Sequence, residues 1–171
     1  LGAATASSTD EISAGLEKFA AVSNSVGLSY EYATSALATV TATTRQSADV
    51  VGTAFKTLFA RIQDLELGKT LDDGTTLGKY SQALETVGIS IKTADGGLRE
   101  MDDILSDLGE KWNSFDAEGN PLISDDAKVA LAQTVAGVRQ YTQLIALMDN
   151  WDFMKENLET ARNAVGTLNE Q

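Results

Sequence analysis

The sequence predicts a mainly α protein, a multi-helix domain of about seven helices with one small β-hairpin near residues 89–100. Three observations carry that expectation. Apolar residues recur at helical spacing through most of the chain, and the longest run lies between Lys128 and Trp151. Glycines such as Gly27, Gly68 and Gly88 stand where these runs end, at the left-handed position that closes many helices. Only residues 89–100 combine two-residue alternation with a double-glycine turn.

Residues 1–9, LGAATASST, are small and polar and read as a flexible lead-in. Ser8 and Glu11 have capping-box spacing for a first helix carrying Ile12, Leu16, Phe19, Ala20 and Val26, which Gly27 stops. Ser29 caps a second helix in which Tyr30, Ala33, Leu37 and Val40 align. Its many threonines lower its intrinsic propensity, so it must lean on packing. Ser47 caps the third, whose set Val51, Ala54, Phe55, Leu58, Phe59, Ile62 and Leu65 is strongly amphipathic. Lys56 and Arg61 read as its solvated flank, paired with nearby acids such as Asp64 and Glu66. Asp73-Gly74 is a turn signal.

Leu77, Tyr80, Leu84 and Val87 define a fourth helix ended by Gly88. The hairpin follows, with Asp95-Gly96-Gly97 as its turn and Ile89, Ile91 and Leu98 expected to be pinned against helices, since a lone hairpin is marginal in water. A fifth helix places Met101, Ile104, Leu105, Leu108, Trp112 and Phe115 on one face and Asp102, Asp103, Asp107 and Glu110 on the other. After a loop at 116–126 containing the single proline, Pro121, Ser124 starts the stretch around which the chain reads as organised. There Leu131, Val135, Val138, Tyr141, Leu144, Ile145, Met148 and Trp151 form one stripe, and Gly137 marks a kink or the close approach of another backbone, with two helical segments pivoting about it. A last amphipathic helix carries Trp151, Met154, Leu158, Ala161, Val165 and Leu168.

A chain of 171 residues buries about 70% of its unfolded surface, so residues 10–171 are expected to form a single helical domain. Whether it divides into two lobes, 10–67 and 76–168, stays open. The chain starts Leu-Gly-Ala-Ala rather than with Met, and the expectation is a piece excised from a longer parent. Net charge is −12, with 15 acidic and 6 basic side chains falling in residues 61–126, so that span alone carries −9. Such a field repels phosphate backbones, and tight direct nucleic-acid binding is not expected. There is no cysteine and no histidine, which removes disulfides, thiolate chemistry and the usual general base. No apolar run has the length of a membrane span.

The candidate sites all have plainer readings. The loop at 116–126 is rich in oxygen ligands, but aligning Asp116 with the first position of a calcium loop puts Pro121 where glycine belongs and Ala127 where a bidentate Glu belongs. Glu100 with Asp102 or Asp103 reads as exposed solubility charge, with no environment to separate the pKa values. Trp112 and Trp151 resemble interface anchors, yet each lies on its own helix's apolar stripe. Arg139, Gln140, Tyr141 and Gln143 hold no nucleophile with its base. The expectation is therefore no catalytic, cofactor-binding or metal-binding residue, no cofactor, and no enzyme.

Two blocks, SADVVGTAFKTLFARIQ at 47–63 and AQTVAGVRQYTQLIALMDNW at 132–151, with LGKYSQALETVGISIKTADGGLREMDDILSDLGEKW between them, resemble the core region of tail tape measure proteins of long-tailed bacteriophages. The resemblance spans roughly residue 10 to the C-terminus, and DAEGNPLI at 116–123 departs from it as an insertion. It implies a structural segment acting in tail assembly, length determination and DNA ejection, located in the tail tube lumen of the virion after assembly in the host cytoplasm. The implied partners are other copies of itself, the tail tube, the tail tip and tail assembly chaperones. Two other classes stand beside it: a helical protein-binding adaptor or regulatory module without catalytic activity, and, more weakly, a carboxylate-dependent hydrolase using the acidic middle.

Overall fold

The structure is a computed structural model that describes residues 9–170, with side chains through residue 164. Among the described residues the chain forms nine helices: α1 (Thr9–Glu17), α2 (Ala20–Ser25), α3 (Tyr30–Thr44), α4 (Ala48–Glu66), α5 (Leu77–Glu85), α6 (Met101–Trp112), α7 (Asp125–Ala136), α8 (Tyr141–Asp149) and α9 (Trp151–Glu170). The flexible lead-in and the Ser8 cap fall outside the described residues, except Thr9, which opens α1. The same holds for the side chains of Val165 and Leu168.

The count exceeds the expected seven because two helical runs break. After α1, the Lys18 and Phe19 amides bond only three residues back, to Gly15 and Leu16. Phe19 turns inward there against Phe55 and Phe59, at ring-centroid distances of 5.6 and 6.0 Å. The run from Lys128 to Trp151 breaks at Gly137, whose φ of +87° closes α7 outright rather than kinking it. What approaches Gly137 is a side chain, not a backbone: a Cβ there would lie 3.3 Å from Arg61 Nη1. Val138 leaves the stripe in consequence and is 69% exposed.

The expected β-hairpin does not form. No strand exists among the described residues, and residues 89–100 hold a single antiparallel bridge between Lys92 and Leu98. The pairing stops at two ladder bonds, Arg99 N–H to the Ile91 carbonyl at 2.8 Å and Thr93 N–H to the Gly97 carbonyl at 2.7 Å. The Ser90 hydroxyl accepts from the Lys92 amide, and the Ser90 carbonyl accepts from the Arg99 guanidinium at 2.8 Å. The Asp95 carboxylate binds the Thr93 hydroxyl and the Gly97 amide, tightening the turn into a loop. Ile89 and Ile91 are buried as expected, but Leu98 is exposed.

Ser29, Ser47 and Ser124 cap their helices as the sequence suggests, each accepting from the backbone amide three residues on, and Thr76 does the same for α5. The most continuously buried helix is α3, which packs against α1, α2, α4, α8 and α9. Its residues 32–41 are buried without interruption. The hydroxyls within it turn back onto the helix: Thr34, Ser35 and Thr39 each donate to the carbonyl four residues earlier at 2.7–2.8 Å. Polar side chains thereby enter the core with their hydrogen bonds made.

α1 crosses α4 with almost no side chain between them. A Cβ at Gly52 would stand 2.3 Å from the Gly15 carbonyl oxygen, and one at Gly15 would stand 2.5 Å from that of Ala48. α6 is tied to the α2–α3 connection through its first amide, Met101 N–H donating to the Val26 carbonyl at 2.9 Å. Two aromatics placed on apolar stripes by spacing lie outside the core: Tyr30 and Phe115 are each 65% exposed, the latter beyond the end of α6. No helix among the described residues is long and apolar enough to cross a membrane.

Candidate functional site

An open cleft of about 760 Å³ is walled by the middle of α4, the loop at 69–73 and the α7–α8 turn at 137–140. Arg61 forms its floor. The side chain is only 13% exposed, so the expected solvated flank is incorrect at this position. Its guanidinium joins three segments that are distant in sequence. Nη1 pairs with Asp73 at 3.0 Å, and Nη2 donates to the Thr75 hydroxyl and to the Thr134 carbonyl, each at 3.0 Å. Arg61 Nε is buried and finds no protein acceptor. The Asp73 carboxyl is held below its ordinary value, first by the Thr75 amide and hydroxyl and then by Arg61.

Around this clasp the rim is cationic. Lys69 pairs with Asp64 at 3.2 Å, while Lys56 and Arg139 are exposed and take part in none of the ion pairs among the described residues. The cleft therefore gathers Lys56, Arg61, Lys69 and Arg139 against Asp64, Asp72 and Asp73. In a chain carrying −12 this is a local reversal of sign. Periodicity could not reveal it, because the loop and the turn are brought to α4 only by the fold.

A second feature is an acidic corner where the end of α4 meets the start of α6. Burial and then Glu100 raise the Glu66 carboxyl. Burial, followed by the charges of Asp103 and Glu100, raises Asp102, with Arg162 pulling weakly the other way. The expectation that these acids share one undifferentiated solvent environment is thus incorrect for Asp102, which is half-buried beside exposed Glu100 and Asp103.

The remaining candidates take structural places. Asp116 Oδ1 accepts from the Glu118 and Asn120 amides at 3.0 and 2.8 Å, so this carboxylate is engaged by its own turn. Among the described residues no group of three or more Asp, Glu, His or Cys is arranged to hold a metal ion. Trp112 and Trp151 are buried, and their indoles donate to Asp149 at 2.7 Å and Glu110 at 3.2 Å. Of the polar run after Gly137, Gln143 is buried and donates to Gln46 at 3.1 Å, whereas Arg139 joins the cleft. A smaller groove of about 480 Å³ between α5 and α7 is lined by Val87, Leu122 and Leu131.

No solved structure matches the chain. The phage-related minor tail protein family matches residues 1–125, taking in α1 through α6 and ending where α7 begins. The match includes the block at 47–63 that builds the cleft's main wall, and the acidic corner in full. With nearly three quarters of its 171 residues matched, the chain belongs to the phage-related minor tail protein family.

Proposed function

We propose that the chain is a segment of a tail tape measure protein, acting in tail assembly, tail length determination and DNA ejection from within the tail tube lumen. Membership of the minor tail protein family gives it a structural role in the phage tail. The observation that supports the finer reading is the pair of blocks at 47–63 and 132–151, of which the first lies inside the family match and the second beyond it. Copies of itself, the tail tube, the tail tip and assembly chaperones are the partners. The segment carries no catalytic activity and binds no nucleic acid tightly.

Within a length-setting protein this segment acts as a compact unit. Among the described residues its longest helix has 20 residues, about 30 Å at 1.5 Å per residue, and Gly27, Gly68, Gly88 and Gly137, all at positive φ, interrupt the helical path before it. The test is an in-frame deletion of residues 10–168, with tail lengths measured by electron microscopy. Failed or unstable tails are expected. Tails shortened by about 240 Å, the span of these residues as one helix, would overturn the compact-unit reading, and normal infectious tails would overturn an assembly role. The purified chain is expected to leave a cell-wall suspension turbid and to pass through a DNA column at about 0.15 M ionic strength.

A further inference from the structure

We propose that the cleft between α4, the loop at 69–73 and the α7–α8 turn docks an acidic segment of a partner protein, a stretch of chain with carboxylates beside small apolar residues. A protein partner rests on the structural role proposed above, and the cleft adds the chemistry by which that partner is held.

The floor is one face of a helix. Thr53, Lys56, Thr57, Ala60, Arg61 and Asp64 recur along α4 at helical steps and all line the cleft. The Thr53 and Thr57 hydroxyls donate to the carbonyls of Asp49 and Thr53 at 2.9 and 3.1 Å, so their protons are spent within the helix and the floor beside Ala60 is largely apolar. Lys56 and Arg61 mark the two edges of this face, about 140° apart at 100° per residue.

The walls are fixed to that floor before any partner arrives. Arg61 binds Asp73 and Thr75 of the preceding loop and the Thr134 carbonyl of α7. Gly137 lies against the same guanidinium, which brings Arg139 of its turn to the cleft. A cleft whose walls are already tied together costs an incoming segment little ordering of the receptor.

Charge selects the occupant. Of the lining acids, Asp73 is spent on Arg61 and Asp64 on Lys69, whereas the side chains of Lys56 and Arg139 enter none of the hydrogen bonds or ion pairs among the described residues. Two unspent cations above an apolar floor, in a chain of net charge −12, suit carboxylates brought from outside. Exposed Val138, beside Arg139, offers an apolar contact at the lip. A nucleic acid fits less well, because its charge repeats along the whole backbone and meets the surrounding acidity, while a peptide places carboxylates singly with apolar residues between them.

The test is NMR on the isotope-labelled full 171-residue chain in about 0.1 M salt, where the screening length is about 10 Å. Three probes are titrated to millimolar concentration: a capped octapeptide alternating Glu with Ala, the same peptide with Gln for Glu, and a thymidine oligonucleotide of equal length. The acidic peptide is expected to shift the amides of 53–61 and 137–140 saturably, and the other two to leave them unmoved. K56E/R139E should weaken that binding about tenfold or more, as reversed ion pairs do. R45E/K92E gives the chain the same net charge by reversing two exposed cations outside the cleft, and should keep affinity within about twofold. Unchanged circular dichroism checks the fold of both variants.

No saturable shift, shifts scattered away from the cleft, an equal response to the Glu and Gln peptides, or equal losses in the two variants would overturn the site. Tighter binding of the oligonucleotide would overturn the protein partner. So would a wild-type mass above 18.1 kDa in sedimentation that K56E/R139E returns to the monomer, since the occupant would then be a second copy. These outcomes are read on the isolated chain and the tail assignment on tail length in the particle, so either can fail without the other.

Discussion

α3 and the α7–α8 pair make an instructive contrast. The stretch from Lys128 to Trp151 has the longest apolar periodicity in the sequence, yet it is two helices, each with exposed and half-buried positions. α3 has little periodicity, being Ala, Thr and Ser for most of its length, and its residues 32–41 are buried without a break. An amphipathic stripe marks a helix with one wet face, whereas a helix buried all round has no stripe to show. Periodicity therefore locates the boundary between core and solvent, and it misses the centre. Small residues allow close approach there, and hydroxyls bonded to their own helix make polar side chains acceptable.

Truncations sharpen this contrast most. Leu37→Ala in α3 and Leu144→Ala in α8 remove side chains that are almost fully buried, and each is expected to cost about 2–5 kcal/mol in urea unfolding. The α3 change should be the larger, since Leu37 lies within a run buried without a break, whereas Leu144 has half-buried Ile145 beside it. Ile145→Ala, at a half-buried position, should cost visibly less than Leu144→Ala. An α3 truncation that costs less than the α8 one would break the contrast.

Two smaller effects probe how the centre is made. Gly52→Ala forces a methyl into the space held by the Gly15 carbonyl, and the overpacking is expected to cost about 1–3 kcal/mol. Thr39→Val keeps the shape but removes the hydroxyl that accepts from Asn157 Nδ2 at 3.0 Å. Leaving that buried amide unpaired should cost about 1–3 kcal/mol, whereas Thr43→Val, whose hydroxyl bonds only its own helix, should be near neutral.

The smallest expected effect lies at the acidic corner and depends on pH. The Glu66 carboxyl is raised in the folded state by burial and then by Glu100, so folding disfavours its charged form. Above the raised folded value the residue is ionised in both states and the penalty is fully present. As pH falls through the raised folded value and below the ordinary 4.5, both states become protonated and the penalty disappears. Glu66→Gln should therefore be slightly more stable than wild type at pH 7 and equal to it in acid, as thermal unfolding across pH would read. Asp102→Asn should be nearer neutral, because burial disfavours its charge while the N-terminal end of α6 favours it.

What was legible in the sequence follows from range. Ser29, Ser47 and Ser124 act on amides three residues away, and Gly27, Gly68 and Gly88 adopt positive φ, so caps and stops could be read directly. The break at Lys18–Phe19 was invisible because Phe19 keeps the helical spacing while its ring is drawn toward Phe55 and Phe59. The hairpin falls short because alternation at 89–92 does not show how far pairing extends: it ends after two ladder bonds, and the Gly97 amide turns to the Asp95 carboxylate. Arg61 was misplaced for the longest-range reason: its partners Asp73, Thr75 and Thr134 come from a loop and from the end of α7.

The paired indoles have an optical consequence. Both tryptophans of the chain, Trp112 and Trp151, lie in the α6–α8–α9 junction with their N–H groups held by carboxylates, while the α1–α4 crossing contains neither. Tryptophan emission therefore reports the junction and its contact with α3, where Tyr32 lies 6.5 Å from Trp151, against a far-ultraviolet signal that averages every helix. Denaturation curves recorded by the two probes will superimpose if the crossing and the junction melt as one cooperative body. Separation of the two midpoints would reveal a molecule that comes apart in stages, with the junction visible in isolation and without any label.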